Sequence, residues 1–331
     1  MAAVPPQRII ENLYSLLTSE AQKNRFYYNR SVGFAPEFEF SQLCDRMNLQ
    51  TLDGGMFLMR KEPDYHGVYV TISGGNKDDY LPLYSQLRSI RRESVSQMFF
   101  GEIRGWNNNP ATIRIKEGPE LNLDIAQPRA CPAINPEARN RQRIVDAQIL
   151  TPEIDFFEYD GAGWTPTDIA TIRGNFNATG VRVGARKQSF LNYMNNYPAD
   201  FLRDAYCNRF FLDHLLAGIS PYMCDIDKVI VHDERYELVE VKNKTPVFAA
   251  NDNGANDLQR ARFGWDFRRF AWYLYLKQQT GLDIRFVVAR IDDRIHRNTI
   301  EWKKSPDNGI GRENRWNNPV KPIVKIRFEW S

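Results

Sequence analysis

Residues 225–244 read DIDKVIVHDERYELVEVKNK. Two apolar runs, Lys228 to His232 and Tyr236 to Lys242, flank a polar Asp233-Glu234 break, which is the pattern of two strands joined by a tight turn. Charge collects at the ends of this hairpin. Residues two apart on a strand point the same way, so Asp227 opens the first strand while Glu240 and Lys242 share a face near the end of the second. The three polar side chains then converge at one rim. Two carboxylates and a backbone carbonyl, that of Val241, are hard oxygen ligands suited to Mg²⁺. A lysine beside them is placed to position or deprotonate an attacking water, or to offset charge in a phosphorane-like transition state. A carboxylate inside the apolar run Leu238-Val239-Glu240-Val241 is costly to bury unless it is paired or bound to metal. The competing reading is an edge hairpin whose charged ends are merely solvated.

The neighbouring sequence sets this hairpin in a larger order. ADFLRDAYCNRFFLDHLLAG, from 199, reads as a helix stopped by Gly218. Asp257 to Thr280 reads as a long helix ending at Gly281, and IRFVVARI at 284–291 as a strand covered on both faces. The order is helix, strand, strand, helix, strand. Together with Asp227 and, thirteen residues on, Glu240-Val241-Lys242, it resembles the PD-(D/E)XK nuclease superfamily over roughly 198–291. The resemblance implies a mixed sheet flanked by helices, a divalent metal held by Asp227 and Glu240, and a lysine, Lys242, that serves the nucleophilic water. Ile226 stands where the family pattern begins with proline. A further acid on the preceding helix, common in the family, falls to Asp213 or Asp204. Asp225 is another candidate, or a turn residue pointing away from the cluster. A second triplet, Glu301-Trp302-Lys303, is set aside because RIHRNT, between it and Asp292-Asp293, holds no apolar strand and a Ser-Pro-Asp-Asn-Gly turn follows.

Outward from this core, composition bounds the rest. A chain of 331 residues has room for two ordinary cores. The stretch from about 118 to 150, rich in proline and turn residues, reads as a linker. The expected division is an N-terminal α+β domain over 1–150, its boundary extending up to 190, and a nuclease-like domain over 191–331. The fold class expected is α/β in the second domain and α+β overall. In the first domain, Ile9, Ile10, Leu13, Leu16 and Leu17 fall on one face of a helix over 7–23. Strands are expected at 57–60, 67–73 and 111–118, with a helix at 80–100. Residues 151–190 follow no recognisable pattern.

Charge is uneven. From Arg260 onward there are 16 Lys+Arg against 8 Asp+Glu, a local charge of +8, so the preceding residues carry −5 of the overall +3. A positive field suits a polyanion, and Arg260, Arg262, Arg268 and Arg269 are candidate phosphate contacts on the expected long helix. The interleaved aromatics at helical spacing read equally as core. Cys44, Cys131, Cys207 and Cys224 form no zinc-like pair, and His66, His214, His232 and His296 are dispersed, so histidine or cysteine metal chemistry has no support. No apolar run reaches the roughly 18 residues of a membrane span, and the N-terminus lacks a signal-peptide pattern, so a cytoplasmic protein is expected.

The resemblance and this charge distribution imply a Mg²⁺-dependent DNA endonuclease, with Mn²⁺ able to substitute, in a restriction or defence setting. The N-terminal domain would choose the target, and a homodimer would suit cleavage of both strands. The alternatives are a nucleic-acid-binding or assembly protein with a nuclease-like fold but no catalysis, and a nuclease for RNA or structured DNA.

Overall fold

The computed structural model describes residues 4–19, 27–59, 67–90, 95–117, 143–176, 197–219, 222–232, 235–243, 262–266, 273, 276–277, 280–291, 300–301, 311–313 and 323–327. The protein is α+β. In chain order the helices are α1 (Pro6–Leu17), α2 (Tyr27–Arg46), α3 (Leu81–Ile90), α4 (Ile169–Arg173) and α5 (Ala199–Phe210). The strands are β1 (Gln50–Asp53), β2 (Met56–Met59), β3 (Gly67–Ser73), β4 (Val95–Glu117), β5 (Arg143–Tyr159), β6 (Trp164–Thr167), β7 (Tyr222–Asp225), β8 (Lys228–His232), β9 (Arg235–Asn243), β10 (Arg262–Asp266), β11 (Asp283–Ile291), β12 (Ile300–Glu301), β13 (Gly311–Glu313) and β14 (Ile323–Arg327).

These elements form two compact units that interleave along the chain. The first is Met1–Phe34, Leu58–Leu81 and Ser96–Tyr222; the second is Ala35–Phe57, Pro82–Val95 and Met223–Ser331. A sequential split near 150 is therefore not what the structure has. Part of the expected linker lies in β5, and 118–142 lie outside the described residues.

In the first unit, α1 starts with proline in its first turn, where the missing N–H costs nothing, and buries Ile9, Ile10, Leu13, Leu16 and Leu17 as its periodicity predicts. That stripe packs with Leu202, Tyr206 and Phe210 of α5 and with Ile113, Ile115 and Ile149. Strands β6, β5, β4 and β3 are consecutive in one sheet. The block from 151 that resisted patterning becomes most of β5, all of β6 and α4. Its pairing, Phe156 opposite Thr167 through Tyr159 opposite Trp164, is long-range information that no local window contains. The helix expected over 80–100 ends at Ile90, and β4 begins at Val95. After α5 the chain widens into a π-helical turn over Phe211–Leu215 and stops at Gly218, whose φ of +80° favours glycine.

The second unit is a mixed sheet in the order β1-β8-β9-β11-β12. β8 runs antiparallel to both β1 and β9, and β11 parallel to β9, with Glu240 opposite Phe286. Between β9 and β11 the described residues 273, 276, 277 and 280 are helical; Tyr273, Leu276 and Thr280 are buried and Lys277 is exposed. Helix α2 covers one face of the sheet: Phe40 and Cys44 pack on Ile230, Val239, Val241 and Val287. α2 ends because Asn48 takes a left-handed φ of 51°, tolerated by asparagine, while Leu49 N–H bonds Cys44 C=O and turns the chain into β1.

The long helix expected from Asp257 is not continuous. Arg262–Asp266 is strand β10, paired with β14, and β14 pairs β13 in a three-stranded sheet. Gly264 between Phe263 and Trp265 disfavours a helix by about 1 kcal/mol and aromatics favour a pleated surface, so pairing with β14 wins. Glu301 of the discounted triplet does lie on a strand, β12, opposite Arg290.

Candidate functional site

The site lies where β7 gives way to β8. Asp227 sits in the two-residue break between these strands. Its N–H bonds Val239 C=O at 2.9 Å, and its carboxylate accepts the Val241 N–H at 2.5 Å, so β9 fixes both its backbone and its side chain. Along β9, Val239 and Val241 turn into the core under α2, which leaves Glu240 and Lys242 on the other face, as strand alternation requires. Lys242 Nζ is in ion-pair contact with Glu240 Oε1 and lies 3.9 Å from a carboxylate oxygen of both Asp225 and Asp227.

Exposure falls steeply inward. The side chain of Asp225 is 38% exposed, that of Asp227 9%, and that of Glu240 0%. The site is therefore open at Asp225 and closed at Glu240. One carboxylate oxygen from each of Asp225, Asp227 and Glu240 lies within 4.8 Å of the others. Neither Glu240 oxygen accepts a well-formed hydrogen bond among the described residues; Oε1 has the Lys242 ammonium and Oε2 is buried without a partner. An unsatisfied buried carboxylate oxygen normally costs several kcal/mol unless a partner or a bound cation completes it. Three hard oxygen donors in this arrangement fit a divalent cation in principle. No known protein family, curated protein or solved structure matches this chain.

Electrostatics follow from the crowding. Burial, then the charge of Asp225, pushes Asp227 up to about 6 against the attraction of Lys242. Burial does the same to Glu240, holding it well above the usual carboxylate range, with Asp227 and Asp225 adding to the effect. Burial alone would lower Lys242, but Asp225, Glu240 and Asp227 overcome it and hold the amine well above its ordinary value. The group is an ammonium at neutral pH.

A fourth acid comes from far upstream. Glu37, half-buried on α2, has its carboxyl raised well above the usual range by burial first and then by Asp227 and Asp225, while Lys242 and Lys228 act in the opposite sense. It shares a helix face with Phe40 and Cys44, at spacings of three and seven residues.

The acids read from the preceding helix are placed elsewhere. Asp213 lies in the π-helical turn of the first unit and pairs with Arg209 Nε at 2.7 Å, and Asp204 pairs with Arg203 at 2.8 Å. Each already has a cationic partner on its own helix. Of the two readings of Asp225, the candidate acid is the one the structure supports, its carboxylate lying within 4.8 Å of those of Asp227 and Glu240. Glu37 carried no local signal, because 190 residues separate it from Asp227. Arg262 lies on β10, not on a helix, and Arg260, Arg268 and Arg269 lie outside the described residues.

Proposed function

We propose that this chain is a metal-dependent phosphodiesterase that hydrolyses DNA, the activity implied by the PD-(D/E)XK resemblance. The observation that carries the reading is Glu240: a fully buried carboxylate on a central strand, one oxygen without a partner among the described residues, beside Asp227, Asp225 and Lys242. A solvated edge hairpin accounts for none of this, because β9 lies between β8 and β11.

Asp225, Asp227 and Glu240 would hold Mg²⁺ or Mn²⁺. The cation supplies positive charge opposite the charge that develops on the phosphoryl group. Asp227 is set for this by the Val241 N–H, which occupies one of its oxygen lone pairs and orients the others. Lys242, beside the three carboxylates, would donate hydrogen bonds and offset negative charge at the reacting phosphate. The net positive charge from Arg260 onward favours a polyanionic substrate. Restriction or defence is the biological setting we favour, on the strength of the resemblance.

The deciding experiment is incubation of supercoiled plasmid with the wild-type chain and with Lys242→Ala, each with and without Mg²⁺. Cleavage should require both the cation and Lys242, with the variant at least a hundredfold slower. Cation-independent cleavage, or wild-type rates from Lys242→Ala, would remove the assignment. DNA retention without cleavage by the wild type would favour a binding protein with a nuclease-like fold. Cleavage of RNA or branched DNA alone would move the substrate class.

A further inference from the structure

The turn that carries two of the acids is held from outside the acidic cluster. Gly54 follows β1 directly, and a Cβ built on it would lie 1.7 Å from Ile226 O, 2.5 Å from Ile226 C and 2.7 Å from Asp227 C. No side chain fits there. Beside it, Gly55 C=O accepts the Ile226 N–H at 2.7 Å, so the Gly54-Gly55 backbone lies against the Asp225-Ile226-Asp227 backbone. The ion pair of Asp53 with Lys228, at 2.7 Å, ties β1 to β8 one residue to either side of this contact. From the following helix, the Tyr273 hydroxyl donates to Asp225 C=O at 2.9 Å. Tyr273 is 2% exposed, and its ring stands edge-on to Phe286 with centroids 5.0 Å apart, so the hydroxyl is delivered by a side chain with little freedom.

We infer that Gly54 and Tyr273 are positioning residues: they set where the Asp225 and Asp227 carboxylates stand, through the backbone, without touching the reacting groups. The inference rests on the metal-site reading above. Its physical basis is the break between β7 and β8, where Asp227 has left the ladder and needs other restraints. Three strands or helices converge on this break: β1 through Gly54-Gly55, β9 through Val239 and Val241, and the helix of Tyr273. Groups that orient ligands from behind typically change metal affinity by tenfold or more when removed.

The test is calorimetric titration of Mn²⁺ into the full chain, the Asp227→Ala control, Tyr273→Phe and Gly54→Ala, at a temperature where circular dichroism shows each folded. Tyr273→Phe removes one hydroxyl and keeps the ring packing. It should weaken Mn²⁺ binding about tenfold, and excess Mn²⁺ should restore plasmid cleavage to near the wild-type rate, which a general loss of stability would not allow. Gly54→Ala should weaken binding further. If Gly54→Ala does not fold, Tyr273→Phe decides alone. Wild-type affinity in Tyr273→Phe overturns the positioning role and leaves the metal site standing, provided Asp227→Ala has lost binding. A wild-type chain that takes up no Mn²⁺, or an Asp227→Ala chain that binds it equally, overturns both.

Discussion

At the scale of single residues, the cluster is a stored electrostatic cost. Asp227 is lifted to about 6 from an ordinary 3.8, and Glu37 and Glu240 are raised in the same sense from 4.5. The folded chain thus holds protons that the unfolded chain has already released between about pH 4 and pH 6. Stability that is fully present below the unfolded value is lost as pH rises through the folded one. The metal-free chain should therefore melt at a lower temperature at pH 7 than at pH 5, and Asp227→Asn should flatten that dependence and raise the pH 7 melting temperature. Differential scanning calorimetry across this range checks it; a wild-type melting temperature that rises from pH 5 to pH 7, with no change in Asp227→Asn, would show that the carboxyls are not in conflict. Lys242, raised above its ordinary 10.5, does not titrate in this window.

At the scale of elements, α2 matters more than its modest hydrophobic content would lead one to expect. Proline at position 36 sits inside it, and its inner face from Glu37 to Cys44 does two things. Phe40 and Cys44 close the core over Ile230, Val239, Val241 and Val287, and Glu37 on the same helix feels the charges of Asp227 and Asp225. Phe40→Ala should cost about 3 kcal/mol or more, as buried Phe truncations do, read as a lower urea midpoint at unchanged slope. A Phe40→Ala chain with full stability would mean that α2 is not held by this core. The hairpin itself was legible in the sequence. Apolar alternation placed Glu240 and Lys242 on one face of β9, since the side-chain period of two is a local property, while Asp227, expected to open the first strand, lies just before β8. The sequence of β10 reads as helix because Phe263, Phe267, Phe270 and Leu274 fall at helical spacing, and only the partner strand β14 arbitrates.

At the scale of the molecule, the two units interleave, and this changes what a truncation means. A fragment beginning at residue 190 retains β8, β9 and β11 but loses β1 and α2, exposing Ile230, Val239 and Val241. Such a fragment should show no cooperative unfolding transition by circular dichroism. A cooperative transition there would mean that β8, β9 and β11 form a stable core without α2. No helix among the described residues is long and apolar enough to cross a membrane. The amino-acid sequence by itself determined the α+β class, the helix at the N-terminus, and the hairpin that carries Glu240 and Lys242 with Asp227 at its start, because each is written in short local spacings. Tertiary structure decided that Glu37 comes within electrostatic reach of the cluster, that the Gly54 backbone and the Tyr273 hydroxyl meet its turn, and that residues 35–57 belong with residues from 223 onward. Those are contacts between positions tens to hundreds of residues apart, set by which apolar faces can cover one another, and no local pattern encodes such a choice.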